Sequence, residues 1–151
     1  MMIAKIAKFL CAIAKALGGC LETKPLIKPA ATISIHLMSS ILLDKLEDMG
    51  CQAPIYLPDL QCKTYRVEDV KSCESLKEIS GIKYQAENMD CDDAAAMLFG
   101  KWAGLVWTNV HALNWFIDDN ETFWFVEPQT GVLSKELENW QGMNIRFFLG
   151  R

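Results

Sequence analysis

The chain has 151 residues, about half of them apolar, and a net charge of −4. That length fits one domain with a sizeable core, and the acidic balance, with no Arg-rich patch, argues against nucleic acid as a partner. There is no apolar run of about 18 residues to span a membrane, and the six cysteines form no CxxC pair or zinc-finger spacing with His36 or His111, which argues against a structural zinc site.

Residues 2–17 carry an amphipathic helical pattern. Ile3, Ile6, Leu10, Ile13 and Leu17 fall within one arc of about 80°, and Lys5, Lys8 and Lys15 within another. Gly18 and Gly19 end it. Lys8 and Lys15 interrupt the uninterrupted apolar run that a secretory signal needs, and they also spoil the lipoprotein-like Leu17-Gly18-Gly19-Cys20 box. The segment reads as a docking helix, packing on its own domain, on a partner or on a membrane surface. Residues 21–32, with Pro25 and Pro29, read as a linker. The domain proper is expected over residues 33–151.

Residues 33–49 form a helical pattern closed by Gly50, and His36 within it reads as a packed or surface histidine. Residues 51–63 contain Pro54 and Pro58 and read as irregular. Tyr65-Arg66-Val67 reads as extended, and one helix is expected from Val67 to Ile79. The next helix should start at Cys91 and stop at Gly100. Residues 102–107, 111–117, 122–127 and 145–149 read as strands, with Asp118-Asp119-Asn120-Glu121 a turn and Trp140-Gln141-Gly142 another. Trp107, Trp115, Phe123, Trp124 and Phe125 are expected in the core. The fold class is α+β, with a cysteine-bearing helix packed on a small antiparallel sheet.

Chemistry concentrates between Asp90 and Glu127. A turn centred on Asp119 sets His111 directly opposite Glu127, at hydrogen-bonding range on one face. Asn114 faces the other way and is a poor partner for that imidazole. Cys91 at a helix N-terminus gains from the partial positive charge there, whereas Asp90, Asp92 and Asp93 should raise its pKa. A cation would relieve the conflict: the His111 imidazolium, or Ca²⁺ held by two or more of these carboxylates. The plain alternative is N-capping by Asp90 with Asp92 and Asp93 solvated. Cys91, His111 and Glu127 read as nucleophile, base and orienting group. Gln85 is either an oxyanion-hole amide or a surface glutamine.

The blocks Asp90-Cys91-Asp92-Asp93, Val106-Trp107-Thr108-Asn109-Val110-His111-Ala112-Leu113-Asn114, Phe123-Trp124-Phe125-Val126-Glu127-Pro128-Gln129-Thr130 and Trp140-Gln141-Gly142-Met143-Asn144-Ile145-Arg146-Phe147 occur in this order. They resemble small phage and prokaryotic proteins that are similar to the papain-like, calcium-dependent protease domain of a mushroom agglutinin. The resemblance covers roughly residues 55–150, leaving residues 1–30 outside it. It implies a papain-like or transglutaminase-like fold, with Cys91 as nucleophile, His111 as base and Glu127 as the third member. It also implies calcium near the acidic cluster. Ala94 stands where an aromatic often follows the acidic run, and the short Cys91-to-His111 interval leaves part of the mushroom domain without a counterpart. The expected function is a thiol peptidase or amidase, or a transglutaminase-like acyl transferase, acting on a peptide or amide. The alternative is a phage virion or host-interaction component docked through residues 2–17. Either product would work in the infected host's cytoplasm or in the particle, with reduced thiols.

Overall fold

The computed structural model describes residues 27–151; the amphipathic stretch 2–17 and the first half of the expected linker, 21–26, lie outside the described residues. The described elements are β1 (Ala31–Ser34), α1 (Ile35–Asp48), β2 (Ile55–Tyr56), β3 (Gln61–Thr64), α2 (Val67–Ser72) and α3 (Glu74–Ser80). There follow α4 (Cys91–Phe99), β4 (Gly104–Thr108), β5 (Ala112–Ile117), β6 (Phe123–Val126), β7 (Leu133–Ser134), a 3₁₀ turn (Asn139–Gln141) and β8 (Ile145–Leu149). The class is α+β.

One sheet of six strands runs in the order β2-β8-β4-β5-β6-β7. It is antiparallel apart from the β2–β8 pair at its edge, which is parallel. Strand β5 lies in its middle, and all six of its residues are buried. Alternation along β5 divides the core in two. Leu113, Trp115 and Ile117 meet Met38, Leu42 and Leu46 of α1 together with Phe125 and Phe148. Phe116, with Val126 of β6, meets Val70, Leu76, Ile79, Ala94 and Leu98 from α2, α3 and α4. Helices thus cover both faces of the sheet.

Three expectations need correction. Residues 31–32, expected in the linker, belong to β1, which pairs antiparallel with β3 inside the stretch expected to be irregular. Helix α1 therefore starts at Ile35, where Ser34 Oγ accepts a hydrogen bond from the Leu37 N–H (3.3 Å). Strands this short carry too few residues for a period to register. The helix expected over 67–79 is broken at Cys73, whose ψ of 125° is extended. Trp107 is not a core residue: it is 40% exposed. His36 is exposed on α1.

Buried acidic groups set an alkaline limit on the fold. Burial pushes the Cys62 thiol and the Tyr65 phenol up, and Cys91 is raised too. A group whose folded pKa exceeds its unfolded value stabilises the protein below the unfolded value and loses that contribution as pH rises towards the folded one. Thermal melting should hold steady to about pH 8 and fall above about pH 9, the ordinary thiol range; a melting temperature unchanged at pH 10.5 would contradict this.

Candidate functional site

The turn from β4 to β5 fixes His111 before any catalytic chemistry is considered. Thr108 N–H donates to the His111 carbonyl (2.9 Å). Its hydroxyl oxygen accepts from the N–H groups of His111 (2.9 Å) and Val110 (3.2 Å) and donates to the Gln141 carbonyl (2.6 Å). One threonine therefore joins the histidine's backbone to the 3₁₀ turn. Gly142 ends that turn at a φ of +80°, where a Cβ would come within 2.6 Å of Asn109 Oδ1 and 2.8 Å of Val110 Cγ2. Only glycine suits both the conformation and the space.

The His111 ring is buried, and its Nε2 lies 2.7 Å from Glu127 Oε2. The same oxygen accepts from Gln141 Nε2 (2.9 Å), and Oε1 accepts from the Gln129 N–H (3.3 Å). Gln141 Oε1 in turn accepts from the Glu138 N–H (2.9 Å), which fixes the direction of its amide. A carboxylate only accepts, so Nε2 carries the proton and Nδ1 is left as the basic nitrogen. The Trp140 ring packs edge-on to the imidazole, centroids 5.0 Å apart.

The route to the His111–Glu127 pair differs from the expected one. The β5–β6 register pairs Asn114 with Val126, Phe116 with Trp124 and Ile117 with Phe123. The hairpin is therefore centred on Asn120, not Asp119. Extended along the strands, Glu127 falls opposite Leu113 and reaches His111 diagonally. Moving the centre by one residue moves every partner by two, so both side chains keep their face.

Cys91 is the first residue of α4 and half-buried. Asp90 caps the helix: its side chain accepts from the Asp92 N–H (3.3 Å), and its own N–H donates to Asp93 Oδ2 (3.4 Å). The Cys91 pKa is raised above 9.0. Burial is the first cause, and the Asp90 and Asp92 charges add to it; the backbone N–H groups of Ala112 and of Cys91 itself pull the other way. The advantage of a helix N-terminus is thus outweighed at this cysteine. Ala112 is the first residue of β5 and the neighbour of His111. Its β6 partner position is Pro128, beyond the strand's end, so no ladder bond competes for its N–H.

Asn114 holds α4 against β5. Fully buried, it donates from Nδ2 to the carbonyls of Ala95 (3.0 Å) and Gly104 (2.9 Å). It faces away from the imidazole, as expected. Gln85 is exposed, and its backbone pairs with Met89 in the tight turn before Asp90. The side-chain ligand atoms of Asp90, Cys91 and Asp92 lie within 4.8 Å of one another. The hydrogen bond between the Asp90 and Asp92 carboxyls pulls Asp90's pKa down and pushes Asp92's up. Calcium takes roughly six to eight oxygen ligands. Asp90 and Asp92 would supply only a corner of such a shell, with a soft sulfur beside it and Asp93 turned into the cap.

Thr108, Trp140 and Gln141 complete the site and were not singled out by sequence. The signal available for them was the glycine that follows the Trp140-Gln141 pair in the expected turn.

No protein-family model matches the chain, and no curated protein sequence matches it. Among solved structures, the fold is similar to that of Polyporus squamosus lectin bound to the human-type influenza-binding epitope Neu5Aca2-6Galb1-4GlcNAc. The TM-score is 0.63 at 20% identity, over 78% of this chain and 49% of that one. It is also similar to the PSL1a–E64 complex, with a TM-score of 0.61 at 22% identity, over 78% and 50%. The chain thus spans about half the length of these structures. The likeness is one of fold. Among the described residues no helix is long and apolar enough to cross a membrane.

Proposed function

We propose that this chain is a papain-like thiol hydrolase of peptide or amide bonds, related to the small phage and prokaryotic proteins it resembles. The observation that carries the reading is the buried 2.7 Å contact between His111 Nε2 and Glu127 Oε2, which leaves Nδ1 basic. Glycan binding, suggested by the sugar on the lectin neighbour, has no need of a buried imidazole–carboxylate pair.

In the proposed reaction the Cys91 thiol passes its proton to His111 Nδ1 as the sulfur attacks the substrate carbonyl. The amide C–N bond breaks, and the departing nitrogen takes that proton from Nδ1. Water then attacks the thioester and gives one proton to Nδ1, the S–C bond breaks, and the thiol recovers the proton. Glu127 holds the ring orientation and balances the imidazolium. Because burial and Asp90 raise the Cys91 pKa, the thiolate depends on that imidazolium as its counter-charge. Ca²⁺, where bound, would lie at Asp90 and Asp92 and ease the same repulsion.

Alkylation by iodoacetamide at pH 6 and pH 8, mapped by mass spectrometry, tests this. Cys91 should react selectively at pH 6, and His111→Ala should abolish the selectivity. E64, the compound complexed with one of the neighbours, should add to the same sulfur. A Cys91 that reacts no faster than Cys51 overturns the hydrolase reading. A rate indifferent to added Ca²⁺ removes the metal from it.

A further inference from the structure

A row of residues crosses the sheet beside the thiol. Ala112, whose N–H faces Cys91, pairs with Trp107 of β4, and Trp107 pairs with Phe147 of β8. Cross-strand partners share a face, so the two aromatic rings lie on the side of the sheet from which α4 presents Cys91. Their centroids are 5.5 Å apart, edge to face. Trp107 is 40% exposed, and Phe147 is half-buried. The pairing then shifts: Thr108 meets Ile145, and Arg146 is left in the irregularity without a β4 partner. Bulges of this kind re-aim a side chain. Arg146 is exposed, forms no ion pair with another described residue, and lines one open pocket with Trp107, Asn109, Val110, His111 and Phe147.

We infer that this pocket is the subsite for the amine side of the scissile bond, and that it takes an aromatic group carrying a carboxylate. The inference rests on the hydrolase reading and adds its substrate class. The partly exposed indole offers an aromatic group a stacked or edge-on contact. The guanidinium is the permanent cation of the lining and matches a carboxylate with two parallel N–H bonds. Polarity sets the orientation: Asp90 and Asp92 stand at the cysteine end, so an anionic group is repelled there and drawn to Arg146. His111 lines the same pocket, which places the donor of the leaving-group proton at the amine side. Amides of an aromatic amino acid with its carboxylate free fit this description.

N-bromoacetyl-phenylalanine is the probe, with its carboxamide as the neutral control. Cys91 attacks the methylene, the S–C bond forms and bromide leaves. Labelling by the acid should saturate with concentration, and its half-saturating concentration should rise about tenfold in Arg146→Gln, the size of one charge-assisted contact. The carboxamide should not respond to that substitution, and Arg146→Lys should restore part of the effect. Trp107→Ala should weaken both reagents. Half-saturating concentrations are compared alongside each variant's own iodoacetamide reactivity at Cys91, so a change in the thiol itself is not counted as lost binding. If Cys91 reacts fast with iodoacetamide but the acid labels it without saturation, or Arg146→Gln leaves the acid's half-saturation unchanged, the subsite is wrong and the hydrolase reading stands. If Cys91 is no more reactive than Cys51, the hydrolase reading fails and the subsite with it.

Discussion

Glu127→Gln should reduce alkylation of Cys91 at pH 6 by roughly 10³-fold, within the range a positioned acid–base group contributes, while leaving the protein folded. The substitution keeps the shape. The new amide's carbonyl can still accept from His111 Nε2 and Gln141 Nε2, as the carboxylate oxygen does now. Its NH₂ then meets the Gln129 N–H, donor against donor, in place of a long 3.3 Å bond, at a cost of about 1–2 kcal/mol. What disappears is the buried negative charge that supports an imidazolium. Cys91 is already raised by burial and by Asp90 and Asp92, so without that imidazolium the sulfur stays protonated at pH 6. The pH profile separates this effect from structural damage. Above its own pKa, which burial and Asp90 and Asp92 raise, the thiol ionises unaided, so the deficit of Glu127→Gln should shrink as pH rises through the alkaline range. A deficit equal at pH 6 and pH 10 would mean that the carboxylate only maintains the shape of the site.

Local chemistry made much of this site legible. Asp-Cys-Asp-Asp is a capping box written in sequence, so the start of α4 at Cys91 and its stop at Gly100 could be read directly. The acidic turn after Ile117 and the last strand, 145–149, were equally plain. The hairpin register was harder. Four turn residues allow more than one centre, and the choice depends on how Asp118 is used: its carboxylate accepts from Asn120 N–H, Thr122 N–H and Trp124 Nε1. The histidine–glutamate pairing survived that error because side-chain parity did. Gln141 and Thr108 escaped notice because their roles are non-local. Gln141 reaches Glu127 only because Gly142 turns the chain against Asn109 and Val110. β1 and β3 were missed because four-residue strands show no usable period, and the break at Cys73 has no proline or glycine to announce it.

Asn114→Asp should be the most destabilising single change at the described site, by about 3–5 kcal/mol at neutral pH, as for an unpaired buried charge. Asn114 is fully buried and spends its amide on two carbonyls, Ala95 of α4 and Gly104 of β4. A carboxylate there has no proton to give, and both carbonyls become repulsive neighbours. Burial would raise the pKa of the introduced group above the ordinary ~3.9 of an unfolded aspartate. The deficit should therefore be smallest below that value and grow as pH rises towards the folded pKa. Chemical denaturation at pH 4 and pH 7 checks the sign, and a deficit independent of pH would contradict the assignment. The consequence for function follows from where the amide acts. It ties α4 to β4, and its own backbone lies two positions beyond Ala112, whose N–H faces the sulfur. At low pH, where the variant regains most of its stability, one hydrogen bond to a carbonyl replaces two. Helix α4 then has one fewer tie to the sheet, and the position of Cys91 against the Ala112 N–H is held less firmly. Selective alkylation of Cys91 should fall in that folded variant by more than its residual loss of stability explains, because the proposed proton transfer between sulfur and Nδ1 would respond to sub-ångström displacement.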